Sequence, residues 1–311
     1  IENFGFVEKI FGDVFFKKRK SDDYMYEIEN ELLKEFGTKA DFSYEVERRI
    51  RYFKIDYKYY KRVLNKIRPL RVFYVVKNNN HPLIAVCNEL KIPVEEIQHG
   101  IIHPYHMMYR YDHNTKAPYY PDRICLFGKY WTTVCPLPLS IDNFDYYATP
   151  ITKYKDFRHS LDASNRILLI SQPTIGKQLV SFLTEVLKYD EALNYEWCYK
   201  LHPSEFNNWR TDYAALHELS KEGAVKVVDD FSESLFDLFK QHQLVIGVQS
   251  TAIFEALYFN CRVYIINLPT SEVLASMFPD QTNLLISEPE EFFKCISQYN
   301  AADNITPDDL F

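Results

Sequence analysis

Val245-Ile246-Gly247-Val248-Gln249-Ser250-Thr251-Ala252-Ile253-Phe254-Glu255-Ala256-Leu257-Tyr258-Phe259-Asn260-Cys261-Arg262-Val263-Tyr264-Ile265-Ile266 is the stretch on which the fold turns. The apolar run from Leu244 to Gly247 reads as a buried strand. Gln249, Ser250 and Thr251 follow at a turn, and Ala252, Glu255, Ala256 and Phe259 then recur at helical spacing. Arg262 to Ile266 is a second apolar run of strand length. Together they make a strand, turn, helix and strand whose helix opens on hydroxyl side chains. The first N–H groups of a helix lack partners and its dipole is positive there, so such a turn attracts anions. A plainer reading makes Ser250 or Thr251 an N-cap and nothing more.

The same alternation extends on both sides. Strands are expected at 166–170, 195–201, 225–228, 244–247, 262–266 and 283–286, with helices near 175–189, 208–221, 232–241, 251–259, 270–277 and 288–298. Upstream, strands are expected at 71–76, 94–98, 122–127 and 143–149, with short helices at 80–90 and 129–135. Strands alternating with helices predict parallel α/β sheets whose ligands sit beyond the strand C-terminal ends. The polar stretch 153–164 has no apolar period and reads as a linker, dividing the chain into domains 1–152 and 165–311. No G-x-G-x-x-G and no Walker A sequence occurs, which argues against a dinucleotide dehydrogenase or a P-loop NTPase.

The first 70 residues read as helical. Tyr24, Ile28, Leu32 and Phe36 mark one helix, with Gly37 as its stop. Ile50, Phe53, Tyr57, Tyr60, Leu64 and Ile67 form the apolar stripe of a second. From Arg48 to Arg71 there are ten Lys or Arg against one acid, Asp56. That is either a solvated face or a surface, 48–71, that meets anionic lipid headgroups or an anionic acceptor.

Composition bounds the rest. At 311 residues and 47% hydrophobic, the chain can build one large or two ordinary globular cores. A net charge of −7 argues against a nucleic-acid partner. The six cysteines form no C-x-x-C pair and read as buried thiols of a reducing compartment, not a disulfide frame or a zinc site. No signal peptide and no membrane-length apolar run is visible, so the expected location is cytoplasmic, peripheral at the inner membrane face.

Polar groups cluster at expected strand ends: Gln98-His99-Gly100, then Ser171-Gln172-Pro173-Thr174, then Lys200-Leu201-His202-Pro203-Ser204-Glu205, then Gln249-Ser250-Thr251. The proline after His202 keeps it out of the helical region, which holds the imidazole at a strand tip where it can donate to a phosphate. It reads otherwise as a surface histidine before a loop proline. His99 titrates near neutrality and precedes a glycine that lets a substrate approach the backbone, so it is a candidate base. His103 and His106 follow in the next loop; a metal site built from them with His99 lacks a carboxylate and is disfavoured.

Taken in order, Gln98-His99-Gly100, Phe127-Gly128-Lys129-Tyr130-Trp131, Lys200-Leu201-His202-Pro203 and Ser250-Thr251 with Glu255-Ala256 resemble bacterial surface-polysaccharide transferases of the GT-B type. These include cytidine-nucleotide-dependent sialyltransferases and polysialyltransferases, and teichoic-acid glycerophosphotransferases. The resemblance covers roughly residues 70–300. It implies an α/β GT-B fold with two Rossmann-like domains facing a cleft, 1–152 taking the acceptor and 165–311 the nucleotide-activated donor. It also implies that His202, Pro203, Ser250 and Thr251 hold the donor phosphate and that His99 acts as base. The acidic Asp/Glu-Asp/Glu-Gly motif that sialyltransferases often carry is not found in the first half.

The expected function is therefore a glycosyltransferase with a donor of the CMP-linked sialic acid or Kdo type and a glycan or glycolipid acceptor of the bacterial surface, such as capsule or lipopolysaccharide. Gln172, Thr174, Lys200, Gln249 and Glu255 join the donor side, Glu255 at the ribose. Gly100, His103 and His106 lie on the acceptor side. No D-x-D pair sits at a strand end, so no metal and no cofactor beyond the nucleotide-sugar cosubstrate is expected. A polyol-phosphate transferase with a CDP-linked donor and a non-catalytic nucleotide-sugar binder remain the alternatives.

Overall fold

The structure, a computed structural model, describes residues 23–37, 42–76, 80–111, 117–147, 150–154, 157, 165–278 and 284–298. Most of the expected linker, 155–156 and 158–164, lies outside them. The chain forms two compact units, one of residues 1–98, 116–125 and 139–144, the other of 99–115, 126–138 and 145–311.

The N-terminal part is helical, as its periodicity predicts: α1 is Asp23–Phe36 and α2 is Phe42–Ile67. The middle of the α2 stripe is used for packing. Leu64 is buried, with Tyr57 and Tyr60 against it, in a core with Tyr74, Leu83, Ile84, Val86 and Val94. The ends of the stripe are not so used: Ile50 and Ile67 are 49% and 63% exposed. Length explains this. At 1.5 Å per residue α2 runs about 39 Å, whereas α3 (His81–Leu90), against which it packs, runs about 15 Å.

The first sheet has the order β1 (Val72–Val75), β2 (Val94–Ile97), β3 (Arg123–Leu126), β4 (Phe144–Tyr146), with β1, β2 and β3 parallel. Strand β2 buries two carboxylates, which is costly without partners. Glu96 accepts from the Tyr74 hydroxyl at 3.0 Å, and Glu95 pairs with Arg71 at 2.6 Å.

The second sheet holds β5 (Arg166–Ile170), β6 (Glu196–Lys200), β7 (Val225–Val228), β8 (Leu244–Gly247), β9 (Arg262–Ile266) and β10 (Leu285–Ile286). All are parallel, in the order β10-β9-β8-β5-β6-β7. The connecting helices are α4 (Gly176–Val186), α5 (Trp209–Asp212), α6 (Ala214–Lys221), α7 (Leu235–Gln241), α8 (Thr251–Tyr258) and α9 (Ser271–Ala275), and α10 (Phe292–Ser297) closes the series. Every residue of β8 is buried, as a strand covered on both faces requires. Each such aliphatic side chain contributes about 1.5–3 kcal/mol. From β5 the chain winds outward through β6 and β7, then returns to the other side of β5 as β8. The order reverses between β5 and β8, and in open α/β sheets ligands bind beyond the strand C-termini at such a point.

All six cysteines are free, and Cys87, Cys135, Cys198 and Cys261 are buried, where desolvation raises their thiol pKa values. No helix among the described residues is long and apolar enough to cross a membrane.

Candidate functional site

A cavity of about 670 Å³ opens at the β5/β8 reversal, lined from the strand ends by Ser171–Thr174 after β5, Lys200–Pro203 after β6 and Gln249–Ala252 after β8. The three polar motifs of the second half thus meet at one place. Parallel strands bring them together because all their C-terminal ends share an edge.

Ser250 has extended backbone (φ −145°, ψ 140°) and caps α8, its Oγ accepting from Ala252 N at 3.2 Å. The N-cap role is real, and the hydroxyl proton remains available to a ligand. Thr251 follows as the first helical residue, and its hydroxyl makes no hydrogen bond among the described residues. Gln172 reaches across the reversal: its Oε1 accepts from Gln249 N at 2.7 Å, tying the end of β5 to the end of β8. This side chain shapes the site with its oxygen and keeps only its amide donors for a ligand. Thr174 stands exposed at the rim.

Lys200 ends β6. Its Nζ donates to Asp230 O at 2.8 Å and lies 4.8 Å from the centre of the Phe206 ring. Burial lowers its pKa, with nearby carboxylates opposing. His202 is exposed at the tip beyond it, with extended backbone (φ −69°, ψ 144°) ahead of Pro203. A lysine ammonium, an imidazole, two hydroxyls and the N-terminus of an eight-residue helix therefore face one cavity. That set can hold an anion and stabilise charge developing on it.

Glu255 lies one turn along α8, half-buried and outside the cavity wall. Burial raises its carboxyl pKa to about 7. No hydrogen bond or ion pair engages it among the described residues. His99 and Gly100 do not line the cavity, but Gly100 lies close to its edge: a Cβ there would lie 3.6 Å from Thr251 Oγ1. His99 is exposed, yet partial desolvation holds its pKa below the ordinary imidazole value. His103 and His106 pack ring to ring at 5.1 Å, and each turns its Nδ1 onto its own loop. His103 Nδ1 accepts from Tyr105 N at 3.2 Å and His106 Nδ1 from Met108 N at 3.4 Å. Both rings thereby stiffen the loop.

The motif 127–131 has a packing role. Trp131 is fully buried against Phe254 of α8 at 5.1 Å, and the Tyr130 hydroxyl donates to Met277 O at 2.9 Å. It braces α8, whose N-terminus opens on the cavity.

One part of the wall has no counterpart in the sequence reading. Phe231, Glu233, Ser234 and Leu235, in the loop after β7 and at the start of α7, complete the cavity. Phe231 is 80% exposed and meets Phe206 edge to face at 5.2 Å. The rule that ligands lie beyond parallel strand ends applied to β7 as to its neighbours, and Asp230-Phe231-Ser232 after it was the signal.

No family model matches the chain, and no curated protein matches it in sequence. Solved structures do share its fold. MurG of Acinetobacter baumannii superposes with a TM-score of 0.51 at 11% identity, over 81% of this chain and 71% of that one. The UDP-GlcNAc 2-epimerase of Neisseria meningitidis, bound to UDP-GlcNAc, gives 0.50 at 13% identity, over 83% of this chain and 77% of that one. The fold is α/β of the GT-B type, with two Rossmann-like parallel sheets.

Proposed function

We propose that the protein is a glycosyltransferase that moves a sugar from a nucleotide-activated donor, CMP-linked and of the sialic acid or Kdo type, to a bacterial surface glycan. The convergence of Lys200, His202, Ser250 and Thr251 on one cavity at the sheet's reversal carries this function. The GT-B fold, shared with an epimerase bound to UDP-GlcNAc, is consistent with it. The acceptor oxygen replaces the donor phosphate oxygen at the sugar's anomeric carbon. His99 takes the acceptor's hydroxyl proton, and the departing phosphate charge falls among His202, Ser250, Thr251 and Lys200. Glu255, one turn along α8 from Thr251 and with its carboxyl pKa raised to about 7 by burial, is assigned to a ribose hydroxyl.

A thermal-shift panel of CMP, CDP, UDP and GDP tests the donor class. CMP at a hundredfold excess over its Kd should add about 2.7 kcal/mol of stability and raise the melting temperature by about 4 °C. Preference for CDP, with polyol phosphate released from a CDP-polyol, would move the assignment to polyol-phosphate transfer. Epimerisation of a nucleotide sugar without acceptor would replace transfer altogether. Tight binding with neither transfer nor donor hydrolysis would leave a binding protein.

The location we propose is the cytoplasm, with peripheral contact at the inner membrane face. Lys54, Lys58, Arg62 and Lys66 recur every four residues along α2, exposed and without ion pairs among the described residues. Leu70, just beyond, is 94% exposed. Lys61, by contrast, is held by Glu89 at 2.6 Å. Replacing the four cations by Gln should weaken binding to anionic vesicles by about 10²–10³-fold, since each contributes about 1 kcal/mol near such a surface. Nucleotide affinity should not change. Vesicle binding that ignores lipid charge, salt and these substitutions would reduce the stripe to a solvated face.

A further inference from the structure

Glu205, three residues after His202, is only 7% exposed. Its Oε2 accepts from His202 N at 2.7 Å. Its Oε1 accepts from the Ser171 hydroxyl at 2.9 Å and the Tyr213 hydroxyl at 2.5 Å. Ser171 in turn accepts from the Tyr199 hydroxyl at 3.2 Å. A buried carboxylate survives only when so satisfied. Burial raises the pKa of both tyrosines, so they stay protonated donors in this network. The packing leaves no slack: a Cβ on Gly176, at the start of α4, would lie 2.2 Å from Tyr213 Oη and 2.9 Å from Glu205 Oε1.

The network reaches the turn that carries the His202 ring. Glu205 fixes the backbone of the turn, and the turn brings Ser204 N to 3.2 Å from His202 Nδ1 and Ser204 Oγ to 2.8 Å. A nitrogen that accepts a backbone N–H carries no proton, so the neutral ring bears its proton on Nε2. Nε2 has no hydrogen-bond partner among the described residues, and His202 stands in the cavity wall. We propose that Glu205 is the positioning residue that holds His202 as an Nε2–H donor to the anion in the cavity. The anion part of this rests on the proposed function. The same carboxylate ties Ser171, at the end of β5, to His202, at the end of β6, so one group sets two lining residues in register.

The test reads the tautomer and the affinity separately. Nitrogen-15 NMR reports the His202 ring, and titration with inorganic pyrophosphate and with CMP reports the site, at a temperature where every variant is folded. Wild type should show the Nε2–H form. Glu205→Gln keeps an oxygen for His202 N and should keep that form, with affinity within about threefold. Glu205→Asp keeps the charge but falls one methylene short, and Glu205→Ala removes it. Both should mix the tautomers and weaken pyrophosphate by about tenfold to a hundredfold, the effect of losing one hydrogen bond to a charged group. Tyr213→Phe should lower the melting temperature while leaving tautomer and affinity unchanged, which a merely structural role for Glu205 does not predict. An Nδ1–H ring in wild type, or Asp and Ala variants with wild-type tautomer and affinity, would overturn the proposal. A Glu205-dependent Nε2–H ring in a wild type that binds neither probe would uphold the positioning and overturn only the anion reading of the cavity.

Discussion

His202→Ala should lower turnover by ~10²-fold while the protein unfolds at nearly the wild-type temperature. The two halves of this expectation have separate causes. The imidazole is exposed and braces no core, and its main-chain N–H to Glu205 survives in alanine. Ser204 N loses its side-chain acceptor, but at an exposed turn water takes over, so the stability change should stay within about 1 kcal/mol. Turnover is different, because in the proposed reaction the phosphate oxygen gains charge only as the sugar departs. A donor aimed at that oxygen acts more strongly in the transition state than in the ground state, so its loss falls on kcat more than on KM. Steady-state rates at saturating donor, beside a melting curve of the same preparation, measure both. A folded His202→Ala protein with wild-type turnover would remove this residue from the site.

The parts of this molecule legible in its sequence are those where local pattern and tertiary environment agree. Strand β8 is buried on both faces, so it reads as an unbroken apolar run, and β5 and β9 read likewise. Ser250 and Thr251 are legible because capping chemistry is local. The cavity is legible in outline because parallel strands must deliver their end residues to one edge.

What was hidden depends on partners far along the chain. Glu205 stands in the sequence among the polar groups that follow β6, with nothing local to mark it as buried. Its burial comes from Ser171, Tyr199 and Tyr213, which are distant in sequence or carry no local signal at that spacing. Glu95 and Glu96 are of the same kind, a strand made possible by Arg71 and Tyr74. Phe231 is the converse, an aromatic residue that the structure leaves 80% exposed at the cavity rim. The α2 stripe misleads at its ends, because periodicity reports a face and not how far the partner extends along it.

His99→Ala should lower turnover by ~10²–10⁴-fold and leave nucleotide affinity nearly unchanged. Its place motivates this: Gly100 beside it lies against Thr251, so the His99 loop adjoins the α8 end proposed to hold the phosphate, while the cavity wall itself omits His99. A group there can serve the attacking hydroxyl without contributing to donor binding. Partial desolvation lowers the pKa of His99 below its ordinary value near 6.5, because burial disfavours the charged ring. The neutral, proton-accepting form is therefore populated at lower pH than for a free imidazole. The rate should rise with pH along a limb whose midpoint lies below 6.5, and that limb should vanish in His99→Ala. His103 and His106 are internal controls. Their Nδ1 atoms are engaged by Tyr105 N and Met108 N, so alanine there should loosen the loop and cost less activity. The controls also separate two origins of the limb, since burial lowers the His103 pKa as well. A limb that persists in His99→Ala and disappears in His103→Ala would transfer the base to His103. Loss of nucleotide affinity in His99→Ala, with turnover of bound donor intact, would make His99 a donor ligand and leave the acceptor proton to another group.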